Sequence, residues 1–259
     1  MAKGFHFFSV PVRPVLRNFF LASILLACLL GSIFKAEARE VTPFNNGWEF
    51  KKGPFPTDAM QTAARWNADW EQVNVPHTWN ADDMQKKTNS FYAGVAYYRK
   101  HYVFPESLEG KRLFLRFEGV GACAEVYVNG YLVGTHKGAY SAFVCEIGSQ
   151  VRLGEENEIV VKSDNVARPD VIPVNHALFG VYGGIYRPVW LIVTEPCNIV
   201  VNDCASPGVY ITQKNVSKQS ADVSVRVKLD NATLAPAALE LENAIYTREG
   251  KLVKVHRQF

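Results

Sequence analysis

Cysteine is scarce in this sequence, and its spacing argues against two classes of protein. The 259 residues include five cysteines, of which Cys28 lies in the N-terminal segment. The others are too few and too scattered for the disulfide framework of a small secreted domain. No Cys-x-x-Cys pair occurs, and His77 and His136 lack the close spacing of metal-binding histidines. The sequence therefore predicts no metal site, and it leaves open whether any cysteines pair.

An excess of charge of one sign is also missing. The whole chain has a formal net charge of +3, but residues 1–38 contribute four basic residues and one acidic residue. The rest of the chain is left with 24 basic and 24 acidic side chains. A chain with no net charge and no cluster of basic residues lacks the excess of positive charge that attracts nucleic acid or an anionic membrane. We therefore expect neither as a partner.

Familiar catalytic motifs are absent as well. The sequence has no Gly-x-Ser-x-Gly elbow, no phosphate-binding loop and no dinucleotide fingerprint. Its adjacent acidic pairs, Asp82-Asp83 and Glu155-Glu156, do not suit acid–base catalysis, because neighbours on a strand point to opposite faces. The sequence therefore predicts no catalytic residue and no cofactor in this chain.

The N-terminal segment has the pattern of a secretory signal peptide. Arg13 and Arg17 precede an uncharged apolar run over residues 19–34, and Ala36-Glu37-Ala38 offers a small-x-small cleavage pattern. The run is shorter than the roughly 20 residues of a membrane span. We expect cleavage after this segment and a secreted or periplasmic location. Two alternatives stay open: an uncleaved anchor, and a lipoprotein attached through Cys28.

Short strands separated by turns characterise the rest of the chain. Leu113, Leu115 and Phe117 alternate with other residues at the period of two that places one set on a core face. Asn129-Gly130 predicts a tight hairpin turn, because both residues tolerate positive φ. Further strands are predicted at 97–103, 124–128, 131–135, 158–162 and 189–193, and a short helix at 58–65. This pattern indicates an antiparallel sandwich, since each strand's apolar face needs a second sheet to cover it.

A domain boundary is predicted near Glu195-Pro196. Beyond it the strand pattern restarts, with alternation at 223–229 and at 239–241 and a further strand at 251–256. An immunoglobulin-like sandwich takes about 100 residues. Fewer residues than that follow the boundary, so the second domain is predicted to be incomplete.

Several motifs, in this order, resemble the start of glycoside hydrolase family 2, which includes β-galactosidases and β-glucuronidases. They are Val75-Pro76-His77-Thr78-Trp79-Asn80, Tyr92-Ala93-Gly94 with Tyr98-Arg99-Lys100, Leu115 to Val120 with Val126 to Gly130, and Gly183 to Leu191. The resemblance implies an all-β chain. A galactose-binding-like jelly-roll sandwich, the sugar-binding domain, would occupy residues 39–196, and an incomplete immunoglobulin-like sandwich would occupy residues 197–259.

The resemblance implies the N-terminal, non-catalytic portion of a secreted β-glycosidase, close to β-galactosidases. Retaining hydrolysis needs two carboxyl groups about 5–5.5 Å apart. In the family, both are glutamates on a (β/α)₈ barrel of about 250 residues that follows the immunoglobulin-like domain. A β-linked glycoside or oligosaccharide would therefore be bound and cleaved through a barrel outside this chain. A stand-alone carbohydrate-binding module and a structural sandwich are the alternatives, since a fold alone dictates no function.

The resemblance also implies substrate-binding residues in the loop after Ser163-Asp164-Asn165. In related β-galactosidases this loop reaches the barrel's pocket, and an aspartate on it holds the terminal sugar, sometimes beside a sodium ion. Asp170 is the best positional match, and Asn165 is the second candidate. Carboxylate and amide oxygens accept directional hydrogen bonds from sugar hydroxyls. The alternative is a solvated loop carboxylate or a turn cap.

The motifs themselves are expected to be mainly structural. Gly183-Gly184 is predicted to allow a backbone geometry that no side chain would permit. Trp79, Tyr98 and Trp190 are predicted to be core residues rather than sugar platforms, because large aromatic residues dominate core packing.

Overall fold

The structure, a computed structural model, describes residues 39–53, 69–83, 91–172 and 180–258. The signal segment predicted at 1–38 and the short helix predicted at 58–65 lie outside these residues. Two compact units are present, one within residues 36–236 and one that includes residues 237–259. Within the described ranges, no helix has the length and apolar character needed to cross a membrane.

β-Strands make up nearly all of the regular structure that is described. Short 3-10 helices occur at Glu106–Leu108 and Gly148–Gln150. The strands are β1 Glu40–Pro43, β2 Trp48–Lys52, β3 Glu71–Val73, β4 Val95–Val103, β5 Arg112–Phe117, β6 Cys123–Val128, β7 Tyr131–Lys137, β8 Phe143–Glu146, β9 Glu156–Asp164, β10 Val189–Thr194, β11 Cys197–Ile199, β12 Val209–Lys214, β13 Asp222–Val227, β14 Leu229–Asn231, β15 Leu241–Tyr246 and β16 Leu252–Gln258. The prediction of an all-β chain is confirmed.

The first ten strands form a sandwich of two antiparallel sheets. One sheet has the strand order β3-β2-β4-β9-β6-β7, and the other has the order β1-β10-β5-β8. Apolar side chains from both inner faces meet between them, as two-sheet packing requires. The largest fully buried side chains of this core include Trp48, Tyr98, Phe104, Leu115 and Phe117.

The hairpin between β6 and β7 turns at Asn129-Gly130, as the sequence predicts. Both residues have positive φ, 50° and 82°. The Asn129 side chain fixes the turn to its surroundings, because Nδ2 donates to Gln150 O at 2.8 Å and Oδ1 accepts from Glu158 N at 3.0 Å. The turn therefore sets the register of the β6–β7 edge of the larger sheet.

The outer face of the smaller sheet is also buried, which local alternation does not predict. Leu113 and Leu115 face the sandwich core as expected, but Phe114 between them is only 1% exposed. Phe114 packs with Ile192 and Val201. The chain after β10 thus folds back over this face, so two-sided burial replaces the expected inside–outside alternation.

Polar contacts reinforce this covering segment. Arg112 on β5 donates to Asp230 at 2.8 Å and forms a two-bond ion pair with Glu146 at 2.8 and 2.9 Å. Arg116 donates to the Ala205 carbonyl. The boundary at Glu195-Pro196 stays a prediction, because residues 197–236 share a compact unit with the sandwich.

The strands after β10 pair two by two rather than into a closed sandwich. Antiparallel ladders join β11 to β14 and β12 to β13 in the larger unit, and β15 to β16 in the smaller unit. On the β12–β13 ladder, Ile211 lies opposite Val225, and these side chains are 63% and 40% exposed. A two-stranded ladder is marginally stable by itself, and the assignment of residues 197–259 to an incomplete immunoglobulin-like sandwich stays a prediction.

Candidate functional site

Asp170 lies in a turn beyond β9, where its carboxylate reaches solvent. Its side chain is 54% exposed, and Oδ2 accepts a hydrogen bond from Lys137 Nζ on β7 at 2.7 Å. This bond and the lysine charge lower the pKa of Asp170 below its ordinary value. The group is therefore an ionised, accessible acceptor at neutral pH, which is the chemistry that a sugar hydroxyl needs. Its role in substrate binding stays a prediction.

Asn165 lies one residue beyond β9 and is fully buried. Its Oδ1 accepts from Gly94 N at 2.8 Å, and its Nδ2 donates to Val181 O at 2.8 Å. A ligand could reach this amide only by replacing bonds that already satisfy buried backbone groups. The structure thus places Asn165 beneath the exposed surface around Asp170, Lys137 and Arg168, called the rim below, where it can position the loop. Direct contact with substrate stays a prediction.

A second buried amide, Asn80, ties the neighbouring segments to Asn165. Nδ2 of Asn80 donates to Asp83 Oδ2 at 2.7 Å and to Tyr92 O at 3.0 Å. Oδ1 of Asn80 accepts from Gly183 N at 2.8 Å and from Asn165 Nδ2 at 3.3 Å. Buried networks whose members are satisfied hold one arrangement. The two amides therefore fix the segments before β4, after β9 and before β10 relative to one another.

Charges of both signs surround Asp170. The Arg168 guanidinium pairs with Asp164 at the end of β9, and Oδ1 of Asp164 accepts from Val166 N at 2.8 Å. Nε of Arg168 is buried and has no hydrogen-bond partner in the described part of the chain. A rim with ionised donors and acceptors side by side suits a polyhydroxy ligand, which offers both kinds of group.

The Gly183-Gly184 pair lets the backbone pass against the aromatic core. A Cβ at Gly183 would lie 1.8 Å from Trp79 Cζ2, and one at Gly184, whose φ is +113°, would lie 2.4 Å from Tyr98 Oη. Trp79 and Tyr98 are buried, so both are core residues, as predicted. Tyr98 Oη also bonds His77 Nδ1 at 2.7 Å, and burial lowers the pKa of His77.

Exposed aromatic residues near the rim were not singled out from the sequence. Tyr182 is 40% exposed and meets Phe91 edge-on, with ring centroids 6.1 Å apart. Tyr140 and Ile172 are 56% and 76% exposed. Binding sites combine such apolar surfaces with a few polar groups. The sequence places Tyr182 immediately before Gly183-Gly184. That position could have suggested an exposed aromatic residue, but an aromatic residue next to glycine is equally compatible with a core position.

The acidic pairs considered above have structural or surface surroundings. Asp83 belongs to the Asn80 network, and Asp82 is exposed. Glu155 forms a surface ion pair with Arg152 at 3.6 Å, and Glu156 Oε1 lies 3.5 Å from His101 Nδ1 on the surface. Within residues 39–53, 69–83, 91–172 and 180–258, no group of three or more His, Cys, Asp or Glu side chains is arranged to hold a metal ion. The cysteines described there are free thiols.

Comparisons with known proteins agree with this architecture. The family model described as "Glycosyl hydrolases family 2, sugar binding domain" matches residues 42–196. A β-glucuronidase of Bacteroides fragilis is 39% identical over 210 residues, which are 81% of this chain and 28% of that protein. The crystal structure of a B. fragilis protein provisionally named a β-galactosidase has a TM-score of 0.81 and 70% identity, over 85% of this chain and 33% of that one.

A second solved structure points the same way. The β-glucuronidase of Bacteroides uniformis has a TM-score of 0.77 and 32% identity, over 85% of this chain and 26% of that one. This chain thus spans a third or less of the length of these relatives. Because the sugar-binding-domain model covers more than half of its residues, the chain belongs to glycoside hydrolase family 2 and contains the family's N-terminal sugar-binding domain.

Proposed function

We propose that this chain is the non-catalytic N-terminal portion of a secreted or periplasmic β-glycosidase acting on β-linked glucuronides or galactosides. The observation that carries the proposal is the sugar-binding-domain match over residues 42–196, in a chain that spans 28% of its β-glucuronidase relative. The names of the relatives support the substrate class. The signal-like pattern of residues 1–38 supports export.

The rim around Asp170 is the part of substrate recognition that falls to this chain. Its carboxylate accepts a hydrogen bond from a sugar hydroxyl through the oxygen lone pairs that Lys137 leaves open, and the Lys137 hydrogen bond lowers the pKa of Asp170 below its ordinary value. Asn165 and Asn80 position the loop from below. Tyr182 and Phe91 offer apolar surface beside it.

Cleavage of the glycosidic bond is assigned to polypeptide outside these residues. A retaining mechanism needs a nucleophile and an acid–base carboxyl group on either side of the bond. Of the adjacent acidic pairs considered above, Asp83 belongs to the Asn80 network, while Asp82, Glu155 and Glu156 lie on the surface. The chain by itself is therefore expected to show no turnover.

Assays with p-nitrophenyl β-glucuronide and β-galactoside test the proposal. The parent polypeptide that contains a downstream barrel should hydrolyse at least one of them, and the 259-residue chain should hydrolyse neither. In the parent, Asp170→Ala should lower kcat/KM, whereas Asp222→Ala, at an exposed carboxylate of β13, should not. Turnover by the isolated chain would contradict the proposal. A parent that binds these sugars without cleaving them would favour a carbohydrate-binding module.

A further inference from the structure

Lys100 occupies a core position of β4. The strand's inward side chains are Ala96, Tyr98, Lys100 and Tyr102, since alternate residues share a face. Lys100 is only 8% exposed. A charged side chain is almost never buried in this way unless it is paired. The groups around the Lys100 ammonium therefore show whether its charge is compensated within the chain.

The partners that the chain supplies do not neutralise the Lys100 ammonium. Nζ donates to the Asn46 carbonyl and lies 4.6 Å from the ring centroid of Phe44 and 5.9 Å from that of Tyr102. In the described residues, no carboxylate lies within ion-pair distance of it. Burial alone lowers the pKa of Lys100. An ammonium group has three N–H donors, so donors remain beyond the one given to Asn46.

Lys100 also lines an open groove between the two sheets. The groove encloses about 330 Å³ and is bordered by Phe44, Asn45, Asn46 and Tyr102 as well as Lys100. This volume is within the range of small-molecule sites, roughly 300–1,000 Å³. Lys100 thus combines a largely buried side chain with a position in the lining of a cleft of ligand size.

The opposite wall comes from the edge of the smaller sheet. Thr42 on β1 pairs with Leu191 on β10, and Glu40 pairs with Val193. Paired residues share a face of the sheet, and Leu191 and Val193 pack in the core. Thr42 and Glu40 therefore face the same side, and both line the groove. Glu40 is exposed at the mouth, where solvent screens its charge.

This groove is separate from the Asp170 rim. Lys100 pairs with Ile159 on β9, whereas Asp164, from which the rim loop departs, pairs with Val95 at the other end of β4. Five residues along a strand span about 16 Å. A ligand at Lys100 therefore does not compete for the loop that carries Asp170.

We propose that the groove beside Lys100 is a second saccharide site, which binds the carboxylate of a uronic acid unit. A ligand carboxylate would give the Lys100 ammonium the counter-charge that the chain does not supply. Hydrogen bonds between charged groups are stronger than those between neutral groups. The rings of Phe44 and Tyr102 and the polar residues Thr42, Asn45 and Asn46 line the same groove, although Asn45 Oδ1 already accepts from Val189 N at 2.8 Å. The proposal does not depend on whether the parent protein cleaves glycosides.

Calorimetric titration of the 259-residue chain with sodium glucuronate tests it. Saturable binding is expected, at least tenfold tighter than for galactose or for acetate, which present the ring and the carboxylate separately. Lys100→Met keeps the aliphatic length and removes the charge, so it should weaken glucuronate binding at least tenfold. Lys228→Met is the matched control. Lys228 also lies over an aromatic ring, 5.6 Å from the Tyr210 centroid, but its side chain is exposed and outside the groove, so glucuronate binding should not change.

Further variants keep the test decisive if Lys100→Met fails to fold. Thr42→Phe fills the groove and leaves Lys100 in place, so it should abolish binding while the thermal midpoint stays measurable. Asp222→Ala, at an exposed carboxylate of β13 that does not line the groove, should bind glucuronate as the unaltered chain does. The proposal is overturned if the unaltered chain does not bind, if acetate binds as tightly as glucuronate, or if Thr42→Phe binds normally. Binding lost in Asp170→Ala alone would place the ligand at the rim and also overturn it.

Discussion

Replacing Asn165 with alanine should separate a positioning role of the loop after β9 from a binding role. The amide joins Gly94 N and Val181 O, each at 2.8 Å. An alanine side chain can bond neither group, so Gly94 N and Val181 O both lose this partner. The Val181 carbonyl is then buried without a donor, while the Gly94 N–H, which is only half-buried, regains some hydration.

The expected loss follows from these two groups. A buried polar group left without a partner costs about 1–3 kcal/mol. With one group fully buried and the other half-buried, the free energy of unfolding should fall by about 2–4 kcal/mol. Domains are stable by roughly 5–15 kcal/mol in total, so this is a large fraction. For a domain of this size it corresponds to about 5–15 °C in Tm.

Urea unfolding followed by tryptophan fluorescence measures the change in the 259-residue chain. Asp170→Ala is the comparison, because its carboxylate is exposed and its midpoint should not move measurably. In the parent enzyme the order should be reversed: Asp170→Ala should lose most of its kcat/KM, and folded Asn165→Ala should lose less, because the amide acts on the substrate only through the position of the loop.

The reasoning fails if Asn165→Ala unfolds within about 1 kcal/mol of the unaltered chain, since at least one buried group would then have found another partner. It also fails if folded Asn165→Ala loses kcat/KM as Asp170→Ala does. That result would mean that the amide contacts the substrate after all.

Three further results are expected. Gly183→Ala should not accumulate as folded protein, because its Cβ would lie 1.8 Å from an indole carbon, whereas Gly148→Ala, with 3.6 Å to the nearest atom, should fold. Burial lowers the pKa of His77 in the folded chain. The stability that neutral His77 contributes is therefore complete above the ordinary pKa of about 6.5 and is lost as the pH falls below that value. In His77→Gln, the free energy of unfolding should depend less on pH below about 6.5. Burial raises the pKa of Cys145 to about 12, so a thiol reagent at pH 8 should label exposed Cys204 and spare Cys145, by mass spectrometry.

Local periodicity was sufficient to predict the strands that lie in the middle of the sandwich. Alternation at Leu113, Leu115 and Phe117 placed β5, and Asn129-Gly130 placed the turn after β6. These signals are local, because strand pleat and turn conformation depend on neighbouring residues. Short strands such as β3 and β11, three residues each, carry too few alternations to be recognised in this way.

The candidate site shows where local signals stop. Asp170 and Asn165 are both polar residues after β9, and the resemblance offers both as substrate-binding candidates, with Asp170 first. The partners that bury Asn165 come from 71 and 16 residues away along the chain. Whether an amide meets solvent or backbone depends on these distant segments, which no spacing near Asn165 reveals.

The sequence alone determined the family, the all-β architecture and the turn at Asn129-Gly130, because motifs, strand alternation and turn chemistry are written in consecutive residues. Only the tertiary structure decided that Phe114 is buried on the outer face, that Asn165 lies beneath the rim, and that Lys100 lines a groove with no described carboxylate within ion-pair distance of its ammonium. Each of these depends on segments far apart in the chain packing against one another, and burial and pairing are properties of that packing.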